Sequence, residues 1–240
     1  MFGYRLHTSL LGLQLVIAVL FDAQNVTEGF FEGVLSKIRG AAKSFMAYAF
    51  WPKNDKNEKL EQTASDLRVQ LIKVKVRKPG DQSIDKRVFQ WIGRIEGAGQ
   101  ANVIAVASTD KGYLRSKEDI RSENRGLICF GHGRLGEKYM KKYDLYYNLS
   151  EKKYQPMDDR WEPWERLELL ILVRLAMDQS YKKDGWSLLR DVEEFFDRFQ
   201  PKWRELTKCE SMVELIQSLK RFTIKGVNKG EGWVKEMHVE

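Results

Sequence analysis

Three aspartates stand where predicted strands end or the next helix begins. Asp22 closes a buried apolar run over residues 15–21, and Asp110 follows a second run over residues 102–107. Both runs are hydrophobic without alternation, which is typical of parallel strands covered on both faces. Asp85 lies at the start of a helix predicted to follow a third strand. Because parallel strands deliver their carboxyl ends to one edge of a sheet, we expect the three carboxylates to lie close together.

Carboxylates grouped in this way are suited to a divalent metal ion. Oxygen ligands are those that Mg²⁺ and Mn²⁺ prefer, and such an ion can activate water and neutralise charge on a phosphodiester. The neighbouring polar residues Asn25, Ser108 and Thr109 are predicted to support the site. The alternative is that each aspartate is only the N-cap of a helix, which is a common position for Asp.

The elements that would position these aspartates alternate between strand and helix up to about residue 148. The predicted strands cover residues 15–21, 44–50, 69–77, 102–107, 126–130 and 144–147. The predicted helices cover residues 26–40, 56–67, 83–96, 111–124 and 136–141. Regular alternation of this kind predicts an α/β fold with a mainly parallel sheet.

The pattern changes after a polar linker predicted at residues 150–160. Helices are predicted over residues 164–177, 186–196 and 211–219, and a β-ribbon over residues 222–225 and 232–235. Three helices closed by a ribbon outline a small winged helix. The sequence therefore predicts two domains, at residues 1–149 and 161–240.

The chain is basic, and its positive charge is unevenly distributed. Its formal net charge is +7, with +8 in residues 1–149 and −1 in residues 150–240. The densest basic cluster precedes Asp85 in the sequence and comprises Lys73, Lys75, Arg77 and Lys78. This cluster is predicted to contact a phosphate backbone, and so is Arg134. The alternative is an edge strand that its lysines protect from aggregation.

Composition narrows the class of protein further. Two distant cysteines, Cys129 and Cys209, provide no disulfide framework and no zinc spacing, so a reducing compartment, the cytoplasm, is expected. The apolar run near the N-terminus is too short to cross a bilayer and ends in Phe-Asp rather than at a cleavage site, so we expect no membrane association. The sequence contains neither a Walker loop nor a Gly-x-Gly-x-x-Gly motif.

About residues 13–149 resemble the NYN domain, a branch of the PIN-like nucleases. The resemblance lies in the order Phe-Asp-Ala-Gln-Asn, Ser-Ile-Asp, Ala-Ser-Thr-Asp-Lys-Gly-Tyr and Arg-Gly-Leu-Ile-Cys-Phe-Gly. It implies a three-layer α/β/α fold and a Mg²⁺- or Mn²⁺-dependent ribonuclease. By position, the site residues would be Asp22, Asn25, Asp85 and Asp110. The chain departs from the family pattern at Gln24, Gly112 and Trp91, where acids often stand.

The C-terminal stretch resembles the OST-HTH (LOTUS) winged helix, a module that often accompanies NYN domains. The residues that carry this resemblance are Leu169 to Met177, Gly185 to Leu189, Ser211 to Ile216, Phe222 to Ile224, and Trp233 with Val234. The resemblance implies RNA binding or protein binding by this part of the chain.

Three functions are compatible with these patterns. The first is a metal-dependent endonuclease that cleaves single-stranded RNA, with the C-terminal domain selecting RNA or a protein partner, and with a homodimer as one possible state. The second is a nucleic-acid-binding or scaffold protein with an impaired nuclease site, which the departures at Gln24, Gly112 and Trp91 favour. The third is a phosphotransferase or phosphatase with Asp22 as nucleophile; the haloacid dehalogenase pattern requires a second Asp two residues later, where the chain has Gln24.

Overall fold

The computed structural model describes residues 10–42, 44–55, 57–76, 83–108, 125–133, 142–155, 160–227 and 232–237. These residues form two compact units. The first contains the described residues from 14 to 155. The second combines residues 10–13 with the described residues from 160 onward.

The first unit is built on a seven-stranded sheet with the order β3-β2-β1-β4-β5-β6-β7. Its strands are β1 (Val16–Asp22), β2 (Ser44–Pro52), β3 (Gln70–Val74), β4 (Val103–Ala107), β5 (Gly126–Gly131), β6 (Leu145–Asn148) and β7 (Lys153–Gln155). The first six are parallel, and β7 alone pairs antiparallel, with β6. The predicted α/β class with a mainly parallel sheet is confirmed.

Three described helices belong to this unit: α1 (Glu28–Ala41), α2 (Glu58–Asp66) and α3 (Ser83–Gly97). Alternation along β1 assigns two helices to opposite faces of the sheet. Phe21 contacts Phe30 and Phe31 of α1, whereas Leu20 belongs to the hydrophobic cluster that contains Ile84 of α3. The apolar stripes of α1 and α3 are therefore buried on opposite faces of one sheet.

The strand order reverses between β1 and β4, which lie side by side although they are not consecutive. Asn102 fastens the start of this pair: its Oδ1 accepts from the Val16 N–H at 2.8 Å, and its Nδ2 donates to the Gln14 carbonyl at 2.9 Å. The carboxyl ends of β1 and β4 lie at the other end of this pair. In open α/β sheets, the crevice beyond the carboxyl ends of two such strands is the usual ligand site.

One difference from the predicted elements concerns this unit, and two predicted helices cannot be compared with the described residues. Residues 153–155, expected to lie in a linker, form β7, because the chain turns back after β6 and its backbone pairs with that strand. The helices predicted over residues 111–124 and 136–141 lie outside the described residues.

The second unit contains helices and a small antiparallel sheet. The helices are α4 (Pro163–Gln179), α5 (Leu189–Phe199), α6 (Trp203–Thr207) and α7 (Met212–Ser218). The strands are β8 (Lys182–Lys183), β9 (Trp186–Leu188), β10 (Phe222–Lys225) and β11 (Trp233–Glu236), in the order β10-β11-β9-β8. The predicted ribbon of β10 and β11 is confirmed as an antiparallel pair.

The prediction of one helix over residues 186–196 was wrong at its start. Residues 186–188 form β9, and α5 begins only at Leu189. The cause is a hairpin in which Asp184 and Gly185 both have positive φ, of 52° and 76°. Asp-Gly is the preferred pair for such a two-residue turn, so the signal was present in the sequence. The short helix α6 was not predicted.

Residues 10–13 are attached to the second unit by Glu168 of α4. Its carboxylate accepts hydrogen bonds from the backbone N–H groups of Leu10 and Leu11, both at 2.8 Å, and of Leu13 at 3.0 Å. Leu11 is 1% exposed and packs in the core of this unit. Along the described residues, the chain therefore contributes residues 10–13 to the second unit, then forms the first unit, and returns to the second unit from residue 160 onward.

None of the helices in the described part of the chain has the length and apolar character that a bilayer crossing requires.

Candidate functional site

The candidate site is centred on Asp22 at the end of β1. The residue is only 3% exposed. Its Oδ1 accepts from the Gln24 backbone N–H at 3.3 Å, and its Oδ2 accepts from the Ser108 hydroxyl at 3.1 Å. Ser108 follows β4 directly, so this hydrogen bond joins the two strands between which the strand order reverses. A buried carboxylate at this position requires such partners.

Of the two alternatives for Asp22, the structure shows the N-cap, while the metal-site role stays a prediction. It is the N-cap of a short 3-10 turn over Ala23–Asn25, through the bond from Gln24. Its second oxygen, however, bonds Ser108 across the sheet rather than the turn. The same carboxylate therefore caps the turn and joins two strands at the edge where a ligand site is expected.

Asp85 lies in the first turn of α3 and is partly exposed. It is the third residue of the helix, so it is not its N-cap. Residues two apart on a strand share a face, so Asp22 lies on the face of Leu20, which packs in the cluster containing Ile84. The first turn of α3 therefore covers the same face as Asp22. The convergence of the two carboxylates remains a prediction.

The other predicted metal-site residues are described less fully. Asn25 ends the 3-10 turn that follows Asp22. Asp110 and Thr109 lie outside the described residues. Within the described ranges, no group of three or more His, Cys, Asp or Glu side chains is arranged to hold a metal ion.

The donor groups that are described fit a hard divalent cation. Asp22 and Ser108 offer oxygen atoms, which are the ligands that Mg²⁺ and Mn²⁺ prefer. Asp85 and Asp110 would complete the set with further carboxylates. The chemistry of the donors thus favours magnesium or manganese over zinc.

A close contact between strands shapes the neighbouring wall of the site. A Cβ added to Gly131, at the end of β5, would lie 2.9 Å from the Tyr146 hydroxyl and 3.3 Å from the Ser108 carbonyl oxygen. The Tyr146 hydroxyl donates to the Gly133 carbonyl at 2.8 Å. A side chain at this position would therefore require Tyr146 and the Ser108 backbone to shift.

The titratable groups behind this wall stay neutral near pH 7. Burial raises the pKa of the Cys129 thiol and the pKa of the Tyr143 phenol well above their usual values. Burial also raises the pKa of Tyr146. Proton transfer at neutral pH is therefore not expected from these three groups.

Asn148, at the end of β6, was not predicted as a site residue although it is fully buried. Its Oδ1 accepts from the backbone N–H of Gly133 at 3.1 Å and of Ser150 at 3.0 Å. It thereby fixes the segment that follows β5. The signal was available, because a polar residue that ends an apolar strand is the same pattern that identified Asp22.

The predicted basic cluster is only partly described. Lys73 and Lys75 are exposed on or just after β3, which is the edge strand, while Val74 between them is buried. Lys73 forms an ion pair with Glu61 of α2. No ion pair of Lys75 occurs within the described residues. Arg77, Lys78 and Arg134 lie outside the described part of the chain.

Two of the departures from the nuclease pattern have described positions. Trp91 of α3 contacts Tyr48 and Phe50 of β2, with ring centroids 5.6 and 6.1 Å apart. It is a packing residue between helix and sheet. Gln24 is exposed, and its backbone rather than its side chain contacts Asp22.

No protein-family model and no curated protein matches this chain. Among solved structures, the chain is similar to a protein of unknown function from Vibrio parahaemolyticus RIMD 2210633. The two are 20% identical, the match covers 59% of this chain and 96% of that chain, and the TM-score is 0.43. This likeness gives no information about activity.

Proposed function

We propose that the first unit is a Mg²⁺- or Mn²⁺-dependent endoribonuclease that cleaves single-stranded RNA. The observation that carries the proposal is the hydrogen bond between Asp22 and Ser108. It places a buried carboxylate at the reversal of strand order, on the sheet face that α3 covers. The resemblance of this part of the chain to NYN domains points to the same activity.

Asp22, Asp85 and Asp110 would hold the ion, which when bound supplies an activated water and neutralises charge on the phosphodiester. Ser108 holds the Asp22 carboxylate in one orientation through its hydroxyl. The backbone N–H of Gln24 fixes the other oxygen. A carboxylate held from two sides keeps a fixed orientation, which favours a well-defined metal geometry.

Substrate binding would depend on the positive charge of the first 149 residues. Lys75 is exposed just after β3, on the segment that leads to Asp85. An ammonium group there would hold a phosphate of the RNA backbone without reading its sequence. We also propose a cytoplasmic location, since Cys129 and Cys209 are both free thiols.

Cleavage of a labelled single-stranded RNA with and without Mn²⁺ tests the proposal. Asp22→Asn should reduce cleavage to background and leave RNA binding in a chelator unchanged. The matched control is Asp66→Asn, since Asp66 is an exposed acid at the end of α2. Wild-type protein that shows no metal-dependent cleavage, or equal cleavage by Asp22→Asn, would contradict the assignment.

A second candidate is an RNA-binding protein whose nuclease site is impaired. The packing of Trp91 against β2 favours it, because a fourth acid often stands at this position in the family pattern. Under this candidate the wild-type protein binds RNA but does not cleave it with either metal.

A further inference from the structure

The small sheet of the second unit has one face toward its helices and one face away from them. Val234 and Ser187, which pair with each other, point toward the helices: Val234 is fully buried, and the Ser187 hydroxyl donates to the Met177 carbonyl of α4. Side chains one position along each strand must point the other way. These are Trp186, Leu188, Trp233 and Lys235, joined by Thr223 and Lys225 of β10 and Lys183 of β8, and we call them the outer face.

Aromatic rings are concentrated on this outer face. Trp186 and Trp233 are only partly buried. Tyr181, just before β8, is 61% exposed, and its ring centroid lies 6.2 Å from that of Trp233. Rings left accessible in this way provide stacking surfaces for bases, whereas rings that serve only the core are covered.

Lysines surround the rings. The Lys225 ammonium lies 4.1 Å from the centroid of the Trp186 ring, and the Lys235 ammonium lies 6.0 Å from it. Lys183 pairs with Trp186 across the hairpin and is exposed. In the described part of the chain none of these three lysines forms an ion pair with an acid.

The described acidic side chains near this face either point away from it or already accept a hydrogen bond. Glu236 of β11 points to the helix side, where it binds Arg174 and Arg221. The Asp191 carboxylate accepts from the backbone N–H of Tyr181. Asp184 lies in the turn between β8 and β9 rather than on the sheet. The outer face is therefore locally positive, although the C-terminal part of the chain is nearly neutral.

We propose that the outer face binds single-stranded RNA, with bases stacked on Tyr181 and Trp233 and phosphates held by Lys183, Lys225 and Lys235. The proposal rests on the proposed function, and it assigns the second unit to RNA rather than to a protein. Exposed rings interleaved with lysines suit a flexible polyanion whose bases are accessible. A duplex, whose bases are already stacked, would use only the lysines.

Binding of a fluorescent oligouridine of about 12 nucleotides to the full chain, measured by anisotropy in a chelator, tests the assignment. Tyr181→Ala should weaken binding roughly tenfold because one stacked base is no longer supported. The matched control is Phe199→Ala, since Phe199 is also an exposed aromatic residue, at 44%. Lys225→Gln with Lys235→Gln should weaken binding and flatten its salt dependence, whereas Lys202→Gln with Lys208→Gln should not.

The outcomes separate this proposal from the nuclease assignment. Asp22→Asn should bind the oligouridine like the wild type, and absence of cleavage would leave the outer-face assignment unaffected. Binding of oligouridine that is unchanged in both Tyr181→Ala and the Lys225/Lys235 double variant would overturn it. A double variant that binds polyglutamate less well but oligouridine as well as the wild type would also overturn it, and would assign the face to an acidic protein. Melting curves of every variant identify a loss of binding that is caused by misfolding. The conservative variant Trp233→Phe, which keeps an aromatic ring, should retain most of the affinity for oligouridine.

Discussion

At the residue scale, the site depends on side chains that hold one another across neighbouring strands. Asp22 and Ser108 could be predicted from the sequence, because a polar residue that ends an apolar run belongs at the carboxyl edge of a parallel sheet. The ion pair of Lys73 with Glu61 could not, since a sequence does not show which exposed side chains of separate elements meet. The close approach at Gly131 depends likewise on the register of β5 with β4.

The hydroxyl of Ser108 offers a direct test of this arrangement. Ser108→Ala should weaken metal-dependent cleavage and lower the free energy of unfolding by about 1–3 kcal/mol, because a buried carboxylate loses a donor. Cleavage rates at several Mn²⁺ concentrations and urea unfolding measure the two effects. Ser108→Thr, which keeps the hydroxyl, should retain more activity than Ser108→Ala. Equal activity of Ser108→Ala and wild type would show that the hydrogen bond does not orient Asp22 for cleavage.

Gly131 offers a second test, of packing at the wall of the site. Gly131→Ala should destabilise the protein by about 1–3 kcal/mol, because its Cβ would overlap the Tyr146 hydroxyl and crowd the Ser108 backbone. The matched control is Gly93→Ala in α3, where nothing lies within 4 Å of the added Cβ. That control should be stabilising by about 0.5–1 kcal/mol. Urea unfolding measures both, and similar values for the two variants would contradict the close approach.

At the element scale, long periodic segments were predictable and short ones were not. The six parallel strands and the three described helices of the first unit lie close to their predicted positions, and most of them, such as β1, α1 and α3, carry a long apolar pattern. β7, β8 and β9 contain two or three residues each, too few for a period to appear. Their positions depend on pairing with other strands, and only the Asp184–Gly185 turn indicated two of them, the hairpin of β8 and β9.

The edge strand β3 yields a prediction that distinguishes its two lysines. Lys75→Glu should weaken RNA binding more than Lys73→Glu, because Glu61 already neutralises Lys73. The slope of log affinity against log salt should fall by about 0.7 for each phosphate of a single strand that the variant no longer neutralises. Titrations at several salt concentrations measure it. Equal slopes for Lys75→Glu and wild type would favour the alternative in which these lysines only protect the strand edge.

At the scale of the whole molecule, the main surprise is that the two units are not consecutive segments. Leu11 contributes to the core of the second unit through an anchor residue, Glu168, 157 positions away. A contact between residues so far apart in sequence produces no local sequence pattern. In the sequence, Glu168 resembles an ordinary exposed glutamate of a helix, so its binding to residues 10–13 could not be predicted. The second unit is therefore expected to need residues 10–13 for its full stability.

Two leucines provide the matched test. Leu11→Ala should lower the free energy of unfolding of the second unit by about 2–5 kcal/mol, since it removes a fully buried side chain. Leu206→Ala should cost less than about 1 kcal/mol, because Leu206 is 37% exposed. Urea unfolding of the full chain, followed by hydrogen exchange in α4, measures the difference. Similar losses for the two variants would show that residues 10–13 are not part of this core.

The anchor at Glu168 has a consequence for the order of events on the ribosome. The carboxylate that binds the amides of Leu10, Leu11 and Leu13 is translated more than 150 residues after these leucines. Domains generally fold as they emerge, so the large sheet can form while this apolar segment still has no partner. Until α4 leaves the exit tunnel, the nascent chain exposes these leucines to chaperones, and a late folding step joins segments made at quite different times.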